Sequence, residues 1–253
     1  MHSINFRFIS RILGMMCFVE GAMMLIVLMV ALLYQESPTP WIITIGVFFF
    51  VGALLLHQGY KLHKKRASRR EGMLAVTSVW LLLSAIGMLP FLLTGALTSP
   101  LDAFFETISG FTTTGATVFA MVEGLPHSVH LWRSLTQWQG GVGIVVFTVA
   151  LLPIFGGGAS QIYNAETTGI THDRFLPRIS DVAKCLWAIY LAETFVLIIL
   201  LWVGPMNLFD AVCHAFACIS TGGYSTRDAS IAAFDSIYTE YVLALFMYIG
   251  GLN

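Results

Sequence analysis

Residues 102–117 and 210–225 carry one pattern twice, at a constant offset of 108 positions (Asp102 to Asp210, Gly115 to Gly223). Each copy is a short apolar segment that runs into a Thr/Ser/Gly-rich loop, and each lies between long hydrophobic stretches. A segment too short for the roughly 20 residues that cross a bilayer, set between segments long enough to do so, reads as a re-entrant hairpin. Repetition at a fixed period means two copies of one structural unit. Non-helical backbone at membrane depth is tolerated only where it is buried or lines a wet cavity. The duplicated loops therefore imply an aqueous path through protein.

Composition supports the membrane. Hydrophobic residues make up 57% of the 253 and charged residues 11%, with mean hydropathy +0.80; soluble domains carry about 25% charged residues. Apolar stretches at 9–34, 41–62, 73–96, 131–155, 183–203 and 237–253 read as spans. The first is too long for a signal-peptide core and is read as a retained helix. A net charge of −1 gives no case for nucleic-acid binding. Cys17, Cys185, Cys213 and Cys218 form no CxxC pair, so no metal or disulfide framework is indicated. If all six spans cross, eleven of the 13 Lys and Arg residues share one side, and only Arg133 and Arg227 face the other. The positive-inside rule then puts the N-terminus, the basic cluster at 61–70 and the loop after 155 in the cytoplasm. Both hairpins fall on the outer side, with Asp102, Glu106, Glu123, Asp210, Asp228, Asp235 and Glu240; these acids read either as an acidic mouth that would concentrate cations or, for most of them, simply as groups that solvate the loops.

Within the hairpins, Ser99 and Asn207 are matched N-cap residues. Asp102 and Asp210 fall in the first turn, where a carboxylate offsets the helix dipole. Helices of about ten residues would aim their negative ends at the membrane centre, which favours a cation there. Thr112-Thr113-Thr114-Gly115 and Ser220-Thr221-Gly222-Gly223 follow. A row of carbonyls aimed at one axis needs backbone angles most residues avoid, and Gly115 and Gly223 supply them. Thr and Ser hydroxyls add oxygen ligands or hold the loop from behind. Hard neutral oxygens suit an alkali ion.

The expected architecture is all-α and membrane-embedded, built of K+-channel-like helix–pore hairpin–helix units after an extra transmembrane helix pair. Residues 1–69 form that pair, 70–157 the first repeat, 158–181 a cytoplasmic connector and 182–253 a second repeat. The last helix has neither cap nor polar tail, and the second repeat reads as truncated.

Several motifs resemble the Trk/Ktr/HKT potassium transporter superfamily, in particular the bacterial TrkH-type subunits. They are Phe104-Phe105-Glu106, the run from Ser109 to Thr117, Gln137-Trp138-Gln139-Gly140-Gly141-Val142-Gly143-Ile144, Leu152-Pro153-Ile154, Gln161, Tyr163, Ala165-Glu166, Pro177-Arg178-Ile179 and the run from Thr221 to Thr226. The resemblance covers essentially the whole chain. It implies four such repeats around a pseudo-fourfold pore, of which two are visible. It also implies potassium uptake across the bacterial inner membrane, with glycine in the loops favouring potassium. Potassium would bind the carbonyls of Thr113, Thr114, Thr221 and Gly222, above Thr112 and Ser220, with Gly115 and Gly223 allowing the turn. The transported ion would be the only bound species, with no organic cofactor. The implied partners are a second copy, as a homodimer, and a cytoplasmic RCK-type nucleotide-binding regulatory subunit (TrkA-like), beside membrane lipid. The chain has no Walker or Rossmann motif of its own.

Two other classes are weaker. An intramembrane enzyme would need paired acids, a Ser/His pair or HExxH, and the sequence offers none. A non-conducting half-pore assembly module is the alternative, because half of the family's filter is present. Glu20 and Glu193 are acids inside spans and thus candidates for function. His57 and His214 read as packed or polar-paired. Gly140, Gly141 and Gly143 read as a small-residue face for an inner helix pressed behind the filter.

Overall fold

The computed structural model describes residues 4–59, 69–155 and 179–251. The basic cluster up to residue 68 and the connector motifs at 156–178 lie outside the described residues. The described chain is helical, with no strand among the described residues. In order come α1 (Phe6–Leu33), α2 (Thr39–Gly59), α3 (Arg69–Gly87), α4 (Leu89–Leu93), α5 (Pro100–Phe111), α6 (His127–Phe155), α7 (Ile179–Val203), α8 (Leu208–Ile219), a 3₁₀ turn (Ser230–Phe234) and α9 (Ile237–Gly251). By length and composition, four segments can cross a membrane: Phe6–Leu33, Thr39–Gly59, Arg70–Leu93 and Lys184–Val203. About a third or less of each is buried within the molecule. Their outward faces carry side chains such as Phe50, Leu33, Phe195 and Val203. In water such surfaces would drive aggregation; in lipid they are the solvated face.

α1 and α2 form a tight antiparallel hairpin because glycines let the backbones approach. A Cβ on Gly14 would lie 2.9 Å from the Gly52 carbonyl oxygen, and one on Gly52 would lie 2.9 Å from the Phe18 ring. Small residues at helix contacts are the usual means of close packing where lipid removes the hydrophobic drive. The hairpin is pinned to the rest at its turn. Glu36 accepts hydrogen bonds from the His127 and Ser128 backbone N–H groups at 2.6 and 3.0 Å, and from the Ser128 hydroxyl. Its carboxylate thus caps α6 and offsets the positive end of that dipole.

α3 is interrupted at Met88, where Pro90 cannot donate into the preceding turn. The break leaves the Gly87 carbonyl free to accept from Trp132 Nε1 at 3.0 Å. Trp132 then stands edge-on to both Phe111 and Trp41, with centroids 6.1 and 6.3 Å away. This buried aromatic group joins α2, the first hairpin and α6. A second apolar cluster, including Leu197, Leu201, Ala215, Ile219, Leu243 and Phe246, joins α7, α8 and α9.

Candidate functional site

The two short helices are near-copies in the details that set their direction. α5 and α8 each have 12 residues. Ser99 Oγ accepts from the Asp102 N–H at 3.4 Å, and Asn207 Oδ1 accepts from the Asp210 N–H at 2.8 Å. Both predicted caps are therefore in place, with an aspartate in each first turn.

The helices also end alike. Thr113 N–H bonds the Gly110 carbonyl and Thr114 N–H the Ser109 carbonyl, each at 2.9 Å. Thr221 N–H bonds the Cys218 carbonyl at 2.9 Å and Gly222 N–H the Ala217 carbonyl at 2.8 Å. This is the paired-bond ending that normally calls for a left-handed glycine. Here threonine fills that position, with φ of +53° at Thr113 and +54° at Thr221. A β-branched residue at positive φ is a strained outlier, and it occurs at the same place in both loops. Gly115 and Gly223 follow at +75° and +84°. Thr112 and Ser220 before them have φ of −88° and −75°, and φ at Thr114 and Gly222 is not positive. In each loop the sign of φ therefore alternates over four residues. Such alternation turns successive peptide groups the same way, N–H to one side and carbonyl to the other.

The loops lie side by side. A Cβ built on Gly115 would fall on the Gly222 carbonyl oxygen. Thr112, Thr114, Thr221 and Gly223 are exposed on the described chain, whereas Ser220 and Gly222 are buried. The Thr112 hydroxyl bonds the Ile108 carbonyl and the Thr114 hydroxyl, at 2.7 and 2.8 Å; the Ser220 hydroxyl bonds the Phe216 carbonyl at 2.7 Å. These hydroxyls hold loop shape.

One face of α6 supports both loops. Arg133, Gln137, Gly140 and Gly141 are spaced to share that face. Arg133 Nε donates to Glu106 Oε1 at 2.8 Å; the two side chains are only 2% and 0% exposed. Glu106 also accepts from the Thr117 hydroxyl and the Val118 N–H, each at 3.0 Å. Arg133 reaches on to the Ser225 carbonyl at 3.2 Å and stacks over the Tyr224 ring at 4.3 Å. Tyr224 donates from its hydroxyl to the Glu106 and Ala116 carbonyls at 2.9 and 3.3 Å, so the second loop braces the first. Gln137 Oε1 accepts from the Tyr224 N–H at 3.1 Å. A Cβ on Gly140 would strike the Phe111 carbonyl, and one on Gly141 would lie 2.6 Å from the Tyr190 hydroxyl and 2.9 Å from Ser220. The glycine face is thus pressed against the ends of both short helices. Replacing Gln137 with leucine removes the side-chain acceptor of the Tyr224 N–H. A buried donor left unpaired costs about 1–3 kcal/mol, and thermal unfolding in detergent should show a loss of that size.

The second hairpin uses a different brace at the same station. His214 occupies the position of Glu106, and its Nε2 lies 2.9 Å from the Ser225 hydroxyl, the counterpart of Thr117. Asp210 is buried and binds the Thr226 hydroxyl at 2.6 Å and Arg227 at 2.9 Å. The reading of Glu106 and Asp210 as parts of an open acidic mouth is therefore corrected. Each is turned inward and matched to its own arginine, because an unpaired charge there would be costly. Asp102, Glu123, Asp228, Asp235 and Glu240 remain exposed. His214 is polar-paired as expected, and His57 is exposed. Arg133, Gln137 and Tyr224 had no assigned role from sequence. The available signal was a lone arginine at the start of an apolar span, where a buried partner acid is the expected explanation.

Apolar helices long enough to span a bilayer, with two matched, end-capped short helices and their loops set between them, define a multi-pass membrane protein. Residues 41–253 match the family model described as TrkH, cation transport protein, and the chain belongs to that family. It is 40% identical to the Trk system potassium uptake protein TrkH of Escherichia coli K12 over 98% of this chain and 52% of the relative. It is 32% identical to the TrkG protein of the same organism, over all of this chain and 53% of the relative. The crystal structure of the potassium transporter TrkH from Vibrio parahaemolyticus superimposes with a TM-score of 0.84 at 38% identity, over 97% of this chain and 50% of that one. The chain spans about half the length of the curated relatives it matches.

Proposed function

We propose that this chain supplies two quarters of a potassium-selective filter in a Trk-type uptake system of the bacterial inner membrane. The observation that carries the reading is the matched alternation of φ at Thr112–Gly115 and Ser220–Gly223, in loops set side by side. Carbonyls of Thr113, Thr114, Thr221 and Gly222 would replace the hydration shell of potassium, with Thr112 and Ser220 below and Gly115 and Gly223 at the turns. Strain at Thr113 and Thr221 is held by the α6 frame, which fixes ligand positions before an ion arrives. The exposed face formed by Thr112, Thr114, Thr221 and Gly223 is where further repeats would close the ring. The N-terminus would be cytoplasmic, by the distribution of basic residues. A second copy and a cytoplasmic RCK-type nucleotide-binding subunit would complete the system.

Growth of a bacterium stripped of its own uptake systems, at limiting potassium, tests the reading. The 253-residue chain alone should not restore growth. The same chain joined in frame to the C-terminal half of the Escherichia coli relative should. Growth with neither, while both proteins are present in the membrane, would favour the non-conducting assembly module.

A further inference from the structure

Gly222 is a glycine for a different reason from Gly115 and Gly223. Its φ is not positive, so no backbone angle demands it. Space does. A Cβ on Gly222 would run into the Gln137 side-chain amide, 2.6 Å from Oε1 and 2.7 Å from Nε2, with the amide carbon nearer still. Almost equal distances from the two ends, with the carbon between them nearest, put the amide face-on against the Gly222 α-carbon. The matching position of the first loop, Thr114, keeps a side chain and is exposed on the described chain.

Gln137 is itself fully buried. Its amide is oriented by one bond, in which Oε1 accepts from the Tyr224 N–H at 3.1 Å. Turning the amide over would set Nε2 against that N–H, donor against donor. In the orientation that results, Nε2 is buried and has no acceptor among the described residues. It lies 3.8 Å from the point where a Cβ on Gly115 would sit, and the Gly222 carbonyl oxygen lies against that same point from the other loop. An interior donor without a partner is costly. The place of this amide is therefore set by its shape and by Tyr224, not by hydrogen-bond economy.

We propose that Gln137 is a specificity-determining residue of the filter, a flat spacer that fixes the Gly222 peptide relative to Gly115. The inference rests on the potassium pathway proposed above and names the residue that tunes it. The spacer acts in two directions. Its face stops the Gly222 backbone from retreating, and its bond to the Tyr224 N–H, two residues on, stops the loop from advancing. Sodium is smaller than potassium, so carbonyls free to close in would serve it better; carbonyls held at fixed spacing favour the larger ion. Gln137 is buried on the α6 side of the loops and acts through Gly222 and Tyr224, as a positioning residue.

Ion flux in liposomes tests this with the joined full-length form, as the potassium-to-sodium permeability ratio of each variant. Gln137→Asn keeps the amide but withdraws it by one methylene, and it should lower the ratio several-fold while potassium still passes. Gln137→Met fills the space but offers the Tyr224 N–H only a weak acceptor. It should lower the ratio too, and it serves if the asparagine form does not accumulate. Gly14→Ala is the control for lost stability, because its Cβ would lie 2.9 Å from the Gly52 carbonyl oxygen in the α1–α2 hairpin. It should lower the unfolding temperature in detergent and leave the ratio unchanged. A ratio unmoved by the Gln137 variants, or lowered as much by Gly14→Ala, overturns the proposal. Absence of potassium flux from the unsubstituted joined form would instead remove the pathway, and this inference with it.

Discussion

Gly115→Ser in a full-length transporter containing these two repeats should lower the preference for potassium over sodium by about tenfold, a change of about 1.4 kcal/mol in relative binding. Two effects combine. Residue 115 has φ of +75°, which costs a residue with a side chain on the order of 1–2 kcal/mol. The new Cβ would also occupy the place of the Gly222 carbonyl oxygen. That carbonyl is one of the proposed ligands, so the substitution moves a ligand of the other loop as well as its own. Gly223→Ser meets no atom within 4 Å of its Cβ and bears only the backbone cost. Its effect should be several-fold smaller. Permeability ratios from ion flux in liposomes measure both. An unchanged ratio for Gly115→Ser would remove these loops from the selectivity step.

Arg133→Met should be among the most damaging single changes in the chain. It leaves the Glu106 carboxyl buried and without its cation, and breaking one side of a buried pair costs about 3–5 kcal/mol. It also releases the Ser225 carbonyl and the Tyr224 ring, so both loops loosen. Glu106→Gln strands Arg133 and should cost a similar amount. The double variant removes both charges and should be less destabilised than the sum of the two. Unfolding in detergent gives the three values. Additive losses would mean that the pair is not the unit holding the loops.

Much of the hairpin geometry was legible before any coordinates. Ser99 and Asn207 announced two helix starts because a capping side chain acts on its own backbone, three residues away. Gly115 and Gly223 announced positive φ because no other residue takes it freely. Thr113 and Thr221 were not legible in that way: local preference argues against a left-handed β-branched residue, and only the surrounding frame imposes it. The frame was hidden for a different reason. Arg133 meets Glu106 across 27 positions and Gln137 meets Tyr224 across 87. Helical periodicity can put Arg133, Gln137, Gly140 and Gly141 on one face, but it cannot say what that face touches. The inward turn of Glu106 and Asp210 was missed because topology assigns a side of the membrane, not a depth within the protein.

The way Tyr224 reaches back to the Glu106 and Ala116 carbonyls has a consequence for biosynthesis. Chains emerge from their N-terminus, and early parts begin to fold before later ones exist. When α6 is complete, Arg133 can already meet Glu106, and the surface that will receive the second loop is finished. The first loop at that moment lacks its Tyr224 struts, and it stays so until the ribosome has added roughly 70 further residues, the stretch from the end of α6 at Phe155 to Tyr224. A nascent chain arrested in that interval would hold one provisional loop. The second loop, arriving on a prepared seat, would set both together.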